Sequence, residues 1–162
     1  MNKKEIYEFL KKNNIWHKII EHNAVFDMDE LSKIDIPHFE CVAKNLFVRD
    51  DKKRNYYLIS VKENKRVDLK EFRKKNETRP LSFASEDDLK SNLNLIAGAV
   101  TPLGLLNDEN LRVCFYIDKA FFEEPQLIGI HPNDNTATVF IKIEDLISII
   151  KQHGNSVKVF EI

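Results

Sequence analysis

Stretches whose apolar residues recur at every second position, and stretches where they recur at helical spacing, are interspersed along this chain without regular strand, helix, strand alternation. That order favours a mixed α+β sheet over a doubly wound one, because parallel neighbours need a crossover helix between them. The clearest helix is the last. Ile143, Leu146, Ile147 and Ile150 fall at i, i+3, i+4 and i+7, and Gly154 stands where a C-terminal cap belongs. Ile6, Phe9 and Leu10 mark a first helix over residues 3–12, ended by Asn13-Asn14. Asp27 with Glu30 resembles a capping box and opens a short helix through Ile34, before Pro37. Residues 68–75 read as a helix with a basic face, and Ser85 followed by Glu86, Asp87 and Asp88 reads as the capped start of another. Strand patterns fall at 16–21, 41–49, 56–61, 111–117, 127–130, 136–141 and 157–162, the second and third joined as a hairpin by a polar turn at 50–55.

Size supports one domain spanning residues 1–162. A chain of 162 residues, 43% hydrophobic and 31% charged, can bury roughly two thirds of its unfolded surface without disulfides or metals. The most apolar stretch, residues 93–106, contains Asn94 and Pro102 and is shorter than the roughly 20 residues of a membrane span. Glu5, Glu8, Lys11 and Lys12 interrupt the region where a secretory apolar segment would lie. With Cys41 and Cys114 as the only cysteines, a reducing cytoplasm is the expected location, with no membrane partner.

The net charge of −1 conceals a segregation. Residues 44–79 carry 13 Lys+Arg and 6 Asp+Glu, an excess of +7 that leaves −8 for the remainder. A basic block in an otherwise acidic protein points either to an anionic partner, nucleic-acid phosphate foremost, or to a solvated lysine-rich hairpin and helix.

Three places could carry chemistry. In a strand over 41–49, Val42, Lys44, Leu46 and Val48 share a face, so an ammonium interrupts an apolar surface. Such a lysine snorkels, pairs with a carboxylate or lines a cavity. Next, residues 98–104 hold two of the four glycines and one of the five prolines. A segment of this kind serves as an ordinary connection or as a stiff substrate cradle. It lacks both the P-loop and the dinucleotide-binding glycine pattern. Third, the turn after residue 130 starts with His131, a candidate pocket wall, and no second histidine stands at metal-ligand spacing. His17 and His22 read as surface or core-edge residues, and the cysteines as small buried hydrophobes. No metal and no cofactor are called for.

The segments Val42-Ala43-Lys44-Asn45-Leu46-Phe47-Val48-Arg49-Asp50, Arg79-Pro80-Leu81-Ser82-Phe83-Ala84-Ser85, Gly98-Ala99-Val100-Thr101-Pro102-Leu103-Gly104 and His131-Pro132-Asn133-Asp134-Asn135-Thr136-Ala137 together resemble a known family. It is that of the free-standing prolyl-tRNA editing proteins (ProX or PrdX type) of the YbaK superfamily, related to the editing domain inserted in bacterial prolyl-tRNA synthetases. The resemblance implies an α+β fold in which a mixed, largely antiparallel sheet curls into a partial barrel with surrounding helices. It also implies a hydrolase acting on mischarged tRNA(Pro), with Ala-tRNA(Pro) as the expected substrate. The family's essential lysine falls on Lys44, with Asn45 beside it. Its Gly-x-x-x-Pro loop falls on Gly98, Ala99, Val100, Thr101 and Pro102 and would hold the terminal adenosine and the ester. His131 matches the histidine bordering the amino-acid pocket, and Arg49 and Arg79 match basic residues expected at the acceptor stem.

The implied activity makes physical sense. One or two missing methylenes give a synthetase only about 1–3 kcal/mol of discrimination each, so a second sieve that admits the smaller product is needed. A same-fold deacylase for Cys- or Ser-charged tRNA and a non-catalytic tRNA-binding module remain open. So does transient association with prolyl-tRNA synthetase or an elongation factor.

Overall fold

A computed structural model describes residues 1–162. Five α-helices and eight strands follow in the order α1 (Lys3–Lys12), β1 (His17–Glu21), α2 (Met28–Ser32), β2 (Ala43–Asp50), β3 (Tyr56–Lys62), α3 (Leu69–Asn76), β4 (Leu81–Phe83), α4 (Glu86–Leu93), β5 (Val113–Asp118), β6 (Leu127–Ile130), β7 (Ala137–Lys142), α5 (Ile143–His153) and β8 (Val157–Phe160). Short 3-10 turns lie at Phe39–Cys41, Pro102–Asn107 and Lys119–Phe122.

Local chemistry accounts for the helix ends. Asn2 and Ser85 close capping boxes with Glu5 and Asp88, and Asp68 accepts from the N–H groups of Lys70 and Glu71. Gly154, at φ 117°, ends α5 in the left-handed conformation. At α2 the box is split. Asp27 accepts from Glu30 N–H, but the Glu30 carboxylate reaches past Asp27 to the N–H of Phe26, at 2.9 Å. The helix stops at Ser32, two residues short of the sequence expectation, where Lys33 takes the cap and no basic side chain in the last turn offsets the dipole.

The strands form two sheets, β1-β7-β6 and β4-β2-β3-β5-β8. Every pairing is antiparallel except β3 with β5 and β5 with β8. An isolated parallel bridge from Val42 to Gly129 joins the sheets into one curled, unclosed surface. This is the expected mixed, largely antiparallel partial barrel. The main core draws on both sheets, with Phe115, Leu58, Ile128 and Ile141 buried in one cluster with Leu146 and Ile150 of α5. A second cluster, including Val48, Ile59, Val61, Phe72 and Tyr116, lies under α3.

Several boundaries differ from the sequence reading. Leu111 has φ 54°, and Asp108 accepts from the N–H groups of Arg112 and Val113, so that strand opens at Val113. Cys41 ends a 3-10 turn, placing the start of β2 at Ala43. The loop read over 98–104 becomes helical from Pro102, because the Thr101 hydroxyl caps the turn at Leu103 N–H.

Candidate active site

β4 pairs with β2 only from Val48 to Asp50, and Ala84 N–H covers the carbonyl of Phe47. The outer edge of β2 over residues 43–46 is therefore free of a strand partner on that side. A cavity of about 500 Å³ opens against this edge. Lys44 and Asn45 line it from β2, Ile130 and His131 from the end of β6, Thr138 from β7, and Gly98 and Val100 from the loop after α4. The segment from Val25 through α2 closes the remaining wall, with Phe26, Asp27 and Asp29 at its lip.

The polar side chains that β2 contributes are held. Lys44 stands across from Val61 in the β2–β3 register, on the face shared with Leu46 and Val48, as the alternation requires. Its ammonium donates to the carbonyl of Lys65, whose own side chain forms a 2.7 Å ion pair with the buried carboxylate of Asp118. Burial, and secondarily the nearby Arg66, lower the Lys44 pKa from the ordinary lysine value. Asn45 is a bracket: its carbonyl oxygen accepts from the buried hydroxyl of Ser60, and its amide donates to the Val100 carbonyl at 3.2 Å.

Of the five residues 98–102, three do not line the cavity. Thr101 is fully buried and donates to the His131 carbonyl at 2.7 Å, tying the loop to the end of β6, and Ala99 and Pro102 are buried beside it. Ala99 N–H donates to the Ile96 carbonyl, whereas the N–H groups of Gly98 and Val100 donate to no atom of the chain. Gly98 has φ +88°, and a Cβ there would stand 2.9 Å from the Phe26 ring.

His131 Nδ1–H donates to the Ala137 carbonyl at 2.8 Å, which leaves Nε2 as an acceptor. Burial lowers its pKa and keeps the ring neutral. His22 packs edge-on 6.2 Å away, its Nδ1–H on the Asn23 carbonyl and its Nε2 accepting from the Thr138 hydroxyl at 3.0 Å. Sequence reasoning leaves His22 at the surface or the core edge, and gives Phe26, Asp29, Thr138 and the helix-capping Asp27 no place in a site. None of these has a local signal for one, because only tertiary pairing of β1 with β7 and the path into α2 bring them to the cavity. No three His, Cys, Asp or Glu side chains are grouped to hold a metal ion.

Arg49 and Arg79 lie elsewhere. Arg49 is five strand residues from Lys44, about 17 Å at the usual rise, and its Nε is 3.3 Å from Asp88. Arg79 forms a two-point contact with Asp51, at 2.7 and 3.0 Å. Both mark the hairpin end of the sheet.

Residues 22–149 match the aminoacyl-tRNA editing domain. The chain is 41% identical over 160 residues to the prolyl-tRNA editing protein ProX of Acetoanaerobium sticklandii, covering 99% of this chain and 97% of that protein. It is 32% identical over 145 residues to the mouse prolyl-tRNA synthetase associated domain-containing protein 1, covering 85% and 83% respectively. Among solved structures, a proposed trans-editing enzyme for prolyl-tRNA synthetase superimposes with a TM-score of 0.73 at 18% identity, covering 99% of this chain and 96% of that one, a likeness of fold. The cavity, the loop that crosses it and these relatives agree: the chain belongs to the aminoacyl-tRNA editing domain family.

Proposed function

We propose that this protein is a trans-editing deacylase that hydrolyses the ester of mischarged tRNA(Pro), with Ala-tRNA(Pro) as its substrate. The observation that carries this reading is the convergence of Lys44, two uncommitted N–H groups of the Gly98 loop and a neutral His131 on one cavity.

Water adds to the alanyl carbonyl, the C–O bond to the ribose breaks, and the ribose hydroxyl leaves with a proton as alanine departs as its carboxylate. The neighbouring ribose hydroxyl of the substrate orients the water. The N–H groups of Gly98 and Val100 and the Lys44 ammonium stabilise the oxyanion that forms. Asp27 and Asp29 at the lip offer carboxylates to the substrate's α-ammonium. His131 walls the amino-acid end and presents an acceptor rather than a charge. Arg49 and Arg79 stand with the unpaired Lys52, Lys53 and Arg54 at the hairpin end, where acceptor-stem phosphates would lie.

Deacylation of Ala-, Cys-, Ser- and Pro-tRNA(Pro) by the same preparation tests the assignment. Fast release of alanine with Pro-tRNA(Pro) spared is the expected result. Preference for the cysteinyl or seryl ester would reassign the substrate, and binding without turnover would overturn the deacylase reading.

A further inference from the structure

We propose that Phe26 is a stacking platform for the nucleobase next to the scissile ester, an assignment that rests on the deacylase reading and extends it to the nucleoside. Phe26 is 63% exposed, although it sits in a segment otherwise committed to packing. Its neighbours Val25 and Leu31 are buried in a cluster with Ile36, Val42 and Phe140. The Phe26 ring belongs to none of the three hydrophobic clusters. An aromatic ring left out of the core is a common surface feature when isolated. This one is neither isolated from a site nor loosely held.

Its backbone is fixed on both sides. Val25 exchanges two hydrogen bonds with the buried Asn135, donating to its carbonyl at 3.2 Å and accepting from its side-chain amide at 2.7 Å. The Phe26 N–H donates to Glu30 at 2.9 Å. Beneath the ring lies Gly98, where the absence of a side chain lets the aromatic edge close onto the loop. The ring thus has one side against the reactive loop and the other open to solvent at the lip of the cavity.

That position selects the ligand. An aminoacyl ester is carried on a ribose, and its base stands one sugar away from the carbonyl. With the carbonyl at the N–H groups of Gly98 and Val100, the base falls at the rim, over the residue that touches Gly98. A cavity of about 500 Å³ has room for more than an alanyl group, in the range of pockets that take nucleoside-sized ligands. Base–aromatic stacking is tolerant of sequence and needs no hydrogen-bond partner at the ring, which fits a platform with none.

The test uses the whole protein and two amide-linked probes, 3′-deoxy-3′-(L-alanylamino)adenosine and the same alanylamino ribose lacking its base. The parent protein is expected to bind the nucleoside at least about tenfold more tightly than the base-free probe, the scale of one stacked base. Phe26→Ala should erase that ratio by weakening the nucleoside alone, and Phe26→Trp and Phe26→Tyr should restore it. Phe83→Ala, which removes an equally exposed ring on β4, should leave it unchanged. In deacylation, Phe26→Ala should raise KM and spare kcat. A parent protein indifferent to the base, or a Phe26→Ala protein with an undiminished ratio, would overturn the platform. Phe26-dependent nucleoside binding with no turnover of any ester would leave the platform standing and remove the deacylase reading.

Discussion

Lys44 is the residue on which sequence and geometry bear most directly. Strand alternation alone places an ammonium on an apolar face, and in the fold that ammonium is partly desolvated and held by a backbone carbonyl rather than a carboxylate. A lysine without a carboxylate on it keeps its charge available for a developing oxyanion. Lys44→Ala should therefore lower single-turnover deacylation of Ala-tRNA(Pro) on the order of 100-fold, measured at saturating enzyme. His131 gives a pH signature of opposite origin. Its folded-state pKa lies below the ordinary 6.5, so the unfolded chain takes up the proton first as pH falls. Its contribution to stability is full above that ordinary value and is lost as pH falls toward the folded one. Asp134 and Glu21, whose hydrogen bonds to Thr136 and Lys3 lower their pKa values, act in the more acidic carboxylate range. Between about pH 7.5 and about pH 5 the melting temperature of the parent should thus fall more steeply than that of His131→Gln. Parallel curves would show that His131 is not buried in the neutral form.

Elements with strong local signals were legible in the sequence, and those defined by their neighbours were not. The basic-faced run over 68–75, the N-cap at Ser85 and the apolar stripe of α5 are written in adjacent residues, and those helices stand where expected. β4 has only three residues and exists because β2 offers an edge, so Leu81–Phe83 carries no period to detect. The parallel pairs of β5 with β3 and β8 are equally silent, since registry across distant segments leaves no trace in either one. The same limit applies to the site. Lys44, the Gly98 loop and His131 were visible as local oddities, but the bracket from Ser60 through Asn45 to Val100 is tertiary. Ser60→Ala tests it. Removing the hydroxyl leaves the Asn45 oxygen without its buried donor, at a cost of about 1–3 kcal/mol in denaturant unfolding. If the bracket positions the loop, kcat should fall while KM for the tRNA holds, and Ser60→Thr should recover part of the rate. Gly98→Ala acts on the same element differently, combining a left-handed backbone with a Cβ 2.9 Å from Phe26, and should lower both stability and nucleoside binding.

At the scale of the whole molecule, the net charge of −1 divides into a basic stretch and an acidic remainder, and the fold decides which of those charges are free. Sequence counting weighs all 13 basic residues of 44–79 alike. The fold does not: Arg49, Lys65 and Arg79 are engaged by Asp88, Asp118 and Asp51, while Lys52, Lys53 and Arg54 at the hairpin tip and Arg73, Lys74 and Lys75 in the last turn of α3 make no ion pair. The tip and the end of α3 are neighbours, since Asp51 and Arg79 join them. A phosphate approaching this end meets free lysines first, and it must displace Asp51 to reach Arg79. The salt dependence of tRNA affinity separates the two classes. For each phosphate contact removed, the slope of log affinity against log salt should flatten by about 0.7–0.9. Replacing Lys52, Lys53 and Arg54 together by alanine should flatten it by more than Arg79→Ala does. Arg79→Ala also frees the Asp51 carboxylate, adding a repulsive charge, so it should weaken binding at low salt more than its slope accounts for. An affinity unchanged by salt in the parent protein would take the hairpin end out of tRNA binding and leave the cavity as the only contact.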